Sequence, residues 1–193
     1  MKKSVIILIV IVIVLGIWGA SSYNGMVSME ENVSTQWSQV ENQYQRRADL
    51  IPNLVNTVKG YATHEQSTLE GIMEARSKAT QVTIDPSNLT PEAIANYQKA
   101  QGEIGAALGR LLAVSEAYPD LKANQNFLEL QAQLEGTENR INVARNSFNE
   151  TARNYNTAIR KFPKNIMAGL FGFEKRPYFE AAEGTEHAPT VEF

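Results

Sequence analysis

The chain has 193 residues, with 18 Lys and Arg against 21 Asp and Glu, a formal net charge of -3 and no cysteine. Charges so balanced and scattered leave no electrostatic footprint for nucleic acid, so no nucleic-acid partner is expected. The lack of cysteine excludes disulfides, thiolate metal sites, cysteine nucleophiles and a lipid-modified cysteine.

Lys2 and Lys3 precede an unbroken apolar run from Val5 to Ala20. With Ser4, Ser21, Ser22 and Tyr23 it makes a helix of about 30 Å, the thickness of a bilayer's hydrocarbon core. Trp18 and Tyr23 suit an interfacial aromatic belt. Residues 1–23 are therefore predicted to be a membrane anchor that meets lipid through residues 4–23. The rival is a cleaved signal peptide, for which Ala20-Ser21-Ser22 is a suitable site. The long run rich in Ile and Val, with bulky Trp18 beside that site, argues for the anchor. Positive charge before the span, and Glu30, Glu31 and Glu41 after it, predict a cytoplasmic N terminus and a body outside.

Residues 24–163 are predicted to form an antiparallel, up-down four-helix bundle, with helices over about 24–48, 50–80, 91–117 and 121–162. Met26, Val33, Trp37, Val40 and Tyr44 make the first stripe, interrupted by Glu30. No proline separates this helix from the anchor, so the two can be continuous, with Gly25 a candidate hinge. Leu54, Val55, Val58, Tyr61, Leu69, Ile72 and Met73 mark the second helix, and residues 82–91 a loop. Thr90 followed by Pro91 is a cap for the third helix. That helix carries two heptad rows: Ile94, Gln101, Leu108 and Ser115, and Tyr97, Ile104, Leu111 and Tyr118. Gly102, Gly105 and Gly109 weaken it, and close helix approach is a candidate compensation.

The fourth helix repeats Phe127, Leu134, Ile141, Phe148, Tyr155 and Phe162 every seven residues, a bundle seam with left-handed supercoiling. Gln131, Glu138 and Arg145 on the companion row suit the seam's edge or pairing inside the bundle. By parity this helix returns toward the membrane. Residues 164–193 then form a membrane-proximal segment and an acidic tail. Ile166, Met167, Leu170, Phe171 and Phe173 either cap the bundle base or touch the membrane, with Lys161, Lys164, Lys175 and Arg176 able to meet lipid phosphates. The residues from Glu180 to Phe193 are expected to be mobile, apart from docking of Val191 and Phe193.

Arg46-Arg47-Ala48-Asp49-Leu50-Ile51-Pro52-Asn53-Leu54-Val55 is the junction on which this arrangement turns. A hairpin there has Asp49 capping the second helix and Pro52 in its first turn. The rival is one long helix carried through Pro52. Matched helix lengths favour the hairpin, making this stretch the apex farthest from the membrane, with Arg46, Arg47 and Asn53 exposed to a protein partner. Arg140 and Arg145, in an amide- and guanidinium-rich run of the fourth helix, are further partner-binding candidates.

No catalytic, metal or cofactor constellation emerges. His64-Glu65 lacks the second histidine of a zinc protease, because position 68 is Thr. No phosphate-binding or dinucleotide-binding glycine pattern and no Gly-x-Ser-x-Gly occurs. No cofactor is expected, and the chain reads as noncatalytic.

Tyr23-Asn24, the stretch from Arg46 to Val55, Val58-Lys59-Gly60-Tyr61 with His64-Glu65, Glu74-Ala75-Arg76, Glu116 to Ala123, Glu138-Asn139-Arg140-Ile141, and Tyr155-Asn156 leading to Phe162-Pro163 together resemble the LemA family of bacterial membrane-anchored proteins. The resemblance runs from about Tyr23 to Phe193. Phe148-Asn149 departs from a family pattern that looks like Tyr-Asn, losing a hydroxyl. The resemblance implies an antiparallel four-helix bundle behind an anchor in the bacterial inner membrane, and supplies no catalytic residues. The family is described with its short N terminus outside, opposite to the charge argument, which is retained. The expected role is a membrane-anchored scaffold or adaptor of the cell envelope that holds a protein partner. The alternative is a lipid-interacting or membrane-remodelling protein.

Overall fold

A computed structural model describes residues 3–180, which are all helix, turn or extended segment, with no β-strand among the described residues. The elements are α1 (Lys3–Lys59), α2 (Gln66–Gln81), α3 (Pro91–Ser115), α4 (Pro119–Lys122), α5 (Gln125–Arg160) and α6 (Lys164–Phe171). The expected mobility of the acidic tail and the docking of Val191 and Phe193 lie outside the described residues, apart from Glu180.

The chain does not turn at Arg46–Val55. α1 is one helix of 57 residues with Pro52 inside it, about 85 Å long at 1.5 Å per residue. Its stripe explains the continuity: Val40, Tyr44, Ala48, Ile51, Leu54 and Val58 are all buried along one face, which a hairpin would split between two helices. Pro52 has no N–H to give the Ala48 carbonyl. Arg76 of α2 supplies the missing donor, its Nε lying 2.7 Å from that oxygen. Asp49, expected as a cap, sits mid-helix and accepts from Gln45 Nε2 at 2.8 Å. Gly25 is likewise helical.

The turn comes at residues 60–65 instead. There the Asn124 amide donates to the Tyr61 hydroxyl at 2.8 Å and the Tyr118 hydroxyl to Glu65 at 3.2 Å. Position along α1 rises as position along α5 falls: Glu30 meets Tyr155, Gln36 meets Ser147 and Arg47 meets Glu138, and just past the helix ends Tyr61 meets Asn124. α2 packs on α1 and α3. Thr90 Oγ1 caps α3 by accepting from the Ala93 N–H at 3.1 Å, with Pro91 next in line. Asn124 Oδ1 caps α5 at the Phe127 N–H.

The core forms two apolar clusters. One gathers Ile51, Leu54, Ile72, Leu111 and Phe127 near the turn; the other gathers Met26, Trp37, Tyr97, Phe148 and Tyr155 toward the N-terminal span. The α5 row is buried from Phe127 to Tyr155, but Phe162 lies beyond the helix end and is exposed. The α3 glycines do not mediate close approach. A Cβ at Gly102, Gly105 or Gly109 would meet nothing within 4 Å, and all three face outward.

Candidate functional site

The N-terminal part of α1 is long and apolar enough to cross a membrane, and none of that stretch is buried against the rest of the chain. Where it meets the body, α6 lies alongside. Tyr23 packs edge-on against Phe171 and Phe173, at ring separations of 5.0 and 5.6 Å. Met167 reaches toward Gly19, with its Cε 3.5 Å from where a Cβ would be. Leu15, Trp18, Gly19, Tyr23, Met167 and Phe171 border a groove of about 580 Å³. Of the five predicted membrane-contacting residues, Met167 and Phe173 are partly buried against the lower core. Ile166 and Leu170 face outward, the latter 74% exposed, while Phe171 is half-exposed against Tyr23. α6 therefore packs on the base of the body and leaves an apolar outer side. Lys161 is exposed beside it.

Arg47, Gln101 and Glu138 occupy the boundary between the two core clusters, one from each of α1, α3 and α5. Arg47 is only 4% exposed. Its guanidinium donates to the Gln101 main-chain carbonyl at 2.8 Å, to Gln101 Oε1 at 2.9 Å and to Glu138 Oε2 at 3.0 Å, and it lies over the Tyr44 ring. The polar heptad residues Gln101 and Glu138 thus pair across the helices. Such a set holds register, because sliding any helix by one turn would leave a buried charge unpaired. Burial raises the Tyr44 and Tyr97 hydroxyls above the ordinary phenol range, the latter reinforced by Glu41. Burial likewise raises Glu41, opposed by the Trp37 indole.

The chain after α6 builds a third feature. Gly172, at φ 76°, takes a left-handed turn that favours glycine, and residues 173–180 then run along the body with neither helix nor strand pairing. Phe179 is 5% exposed and enters the lower core. It stacks on Trp37 at 5.6 Å and meets Phe148 edge-on at 5.5 Å, with the Arg145 guanidinium 4.9 Å from its ring centre. Phe148 thus contributes a bare ring at the position where the resembling pattern has a tyrosine. Arg176, expected at lipid phosphates, instead pairs with Glu30 at 2.6 Å and donates to the Ser87 carbonyl at 3.1 Å. Glu30, which interrupts the first stripe, is thereby accounted for. Burial, followed by the nearby Glu30 charge, pushes the Tyr155 hydroxyl up to about 12.

The predicted partner-binding residues do not form one patch. Arg46 and Asn53 are exposed on α1 and Arg140 on α5. Arg47 is committed to Gln101 and Glu138, and Arg145 donates to the Glu180 carbonyl at 3.1 Å. Asn149, Asn156, Glu30, Arg76 and Phe179 were not singled out from sequence as site residues. The amide-rich character of α5 was the available signal for the first two. Among the described residues no cluster of three or more His, Cys, Asp or Glu is placed to hold a metal ion.

Compared with known proteins, residues 36–193 match the LemA family. The chain is 30% identical to magnetosome protein MamQ of Magnetospirillum gryphiswaldense, over 81% of this chain and 64% of that one. It is 29% identical to magnetosome protein MamQ 2 of Paramagnetospirillum magneticum, over 82% and 64%. The chain thus spans less than two thirds of the length of these MamQ proteins. Protein LemA of Metamycoplasma hominis is 23% identical, over 83% of this chain and 69% of its own length.

Proposed function

The chain belongs to the LemA family, and from that premise we propose that it is a noncatalytic, single-pass membrane scaffold of the bacterial cell envelope. On this reading an antiparallel four-helix bundle is held on the outer side of the inner membrane and its surface engages a protein partner. The observation that carries the reading is the continuity of α1, which passes from the apolar span through both core clusters without a break. A helix that is unbroken from the span into the packed body has no loop at which to swivel, which supports a fixed position of the body relative to the span. Arg46, Asn53 and Arg140, exposed on two helices, are the proposed partner contacts.

A second reading, a lipid-interacting role, draws on Ile166 and Leu170, which face outward beside the end of the apolar run, and on the exposed edge of Phe171. An amphipathic helix there gains by lying at the headgroup level. Photo-crosslinking side chains in the full-length protein, expressed in cells, separate the two. Probes at Arg46, Asn53 and Arg140 should yield a discrete protein adduct, and a probe at Leu170 a lipid adduct. Loss of every protein adduct defeats the scaffold reading; lack of lipid at Leu170 defeats the second. Fluorescence from a cytoplasm-only reporter fused after Phe193 would defeat the proposed orientation.

A further inference from the structure

The extended segment after α6 is bound by the body in the manner of a ligand. Among the described residues, its main-chain groups from 174 onward make no bond to another main-chain group. Two asparagines of α5 take that place. Asn156 donates Nδ2 to the Arg176 carbonyl at 2.8 Å and accepts the Arg176 N–H on Oδ1 at 2.8 Å. Asn149 does the same for Phe179, at 3.0 and 2.8 Å. Each carboxamide thus closes a two-point pair on the backbone of one residue.

The spacing is what makes this a reader. Asparagines seven apart on a helix rise about 10.5 Å, and residues three apart on an extended strand advance about 10 Å. The two repeats match, so the clamp can hold any extended chain in that register. Side chains then supply selectivity: Glu30 and the Ser87 carbonyl take a guanidinium, and Trp37, Phe148 and Arg145 take a phenyl ring. Gln98 of α3 and Arg145 of α5 both donate to the Glu180 carbonyl, at 3.0 and 3.1 Å, so the segment closes the seam between those helices.

We propose that this seam is a binding groove for extended peptides carrying an arginine and a phenylalanine three residues later, and that its occupant in trans is segment 173–180 of a second copy of this chain. Each copy carries both groove and ligand. The segment joins α6 through the single left-handed turn at Gly172, so exchange between copies keeps every contact and changes only the hinge, the condition for swapping. The groove would serve equally in a protein with no scaffold role.

The probe is a fluorescein-labelled synthetic peptide of residues 173–180, measured by anisotropy against detergent-solubilised protein. Full-length protein, filled in cis, should bind it weakly. A chain ending at Glu174, and full-length Phe179→Ala, should each bind it saturably. Asn149→Ala with Asn156→Ala in either background, or Arg176→Ala or Phe179→Ala in the peptide, should weaken binding about ten-fold or more. No saturable binding to either emptied chain overturns the groove, and Phe179→Ala decides if the shortened chain fails to fold. Binding indifferent to the asparagines overturns the clamp. Because the chain has no cysteine, Gln98→Cys and Glu180→Cys proteins can be co-reconstituted in vesicles. A disulfide dimer formed only in the mixture supports exchange, and its absence overturns the second-copy occupant.

Discussion

Removing Arg76 tests why α1 survives Pro52. The Ala48 carbonyl loses its helical donor at residue 52 and gains Arg76 Nε at 2.7 Å, shorter than the usual N–H···O distance of about 2.9–3.0 Å and charge-assisted. A hydrogen bond to a charged group contributes about 1.5–3 kcal/mol. Because the Arg76 side chain is 28% exposed, the lower end applies, so Arg76→Met should cost about 1.5 kcal/mol. Pro52→Ala restores an N–H that can reach the same carbonyl, and should by itself raise stability. In that background Arg76→Met should cost only about 0.5 kcal/mol, leaving a coupling of about 1 kcal/mol between residues distant in sequence. Asp49→Asn, which alters an exposed carboxylate's 3.9 Å ion pair with Arg76 but keeps an oxygen to accept from Gln45, should change stability by less than about 0.5 kcal/mol. Urea denaturation of the four proteins of the cycle in detergent, followed by helical circular dichroism, measures this directly. A coupling below about 0.3 kcal/mol would refute the compensation.

Three further perturbations follow from the same packing. Arg47→Ala should destabilise by about 3 kcal/mol, since it strips a buried three-helix set, whereas Glu138→Gln, at a half-exposed partner, should cost under about 1 kcal/mol; equal losses in denaturation would contradict the asymmetry. Gly102→Ala, Gly105→Ala and Gly109→Ala should each add about 0.5–1 kcal/mol, because their outward positions are open; a loss in melting temperature would show that space to be filled. For Glu41 the folded carboxyl titrates above its unfolded value through burial. Its stabilising contribution is therefore fully present below the unfolded value and disappears as pH rises through the folded one. Melting temperatures across pH 4 to 8 should fall less steeply in Glu41→Gln than in the parent, and parallel curves would remove Glu41 as the cause.

The features legible in the sequence are those set by local periodicity. Phe127 to Tyr155 on α5 and Ile94 to Ser115 on α3 repeat every seven residues and are buried as their spacing requires. Thr90-Pro91 announced a helix start through side-chain chemistry next door. Pro52 misled because its local meaning, a break, is reversed by a donor 28 residues from the Ala48 carbonyl it leaves open. Matching helix lengths could not correct this, since α2 begins only at Gln66. The same limit hid the C-terminal segment. Composition marks its surroundings as polar and acidic, while Phe179 finds its place only after α1 and α5 have brought Trp37 and Phe148 together. Asn149 and Asn156 sat within motifs that were visible, yet a main-chain clamp has no periodic hydrophobic signature to reveal it.

A span ending near Tyr23 also constrains what α6 can be. Its inner side is fixed by Met167 against Gly19, by buried Ala168 and by the Tyr23 contacts with Phe171 and Phe173. Those contacts hold it at the level where the apolar run of α1 gives out. Its outer side presents Ile166 and Leu170 one helical turn apart, and in water that pair would be an uncompensated apolar surface. At a bilayer interface the same surface would meet acyl chains, with exposed Lys161 beside it as the proposed phosphate contact. The rigid α1 leaves no hinge by which the body could lift α6 away. On the proposed lipid-interacting reading, with residues 4–23 crossing a membrane, α6 sits at its surface, and replacing Leu170 by Asp should loosen the body from the bilayer without disturbing the core that Ala168 and Phe179 help to close.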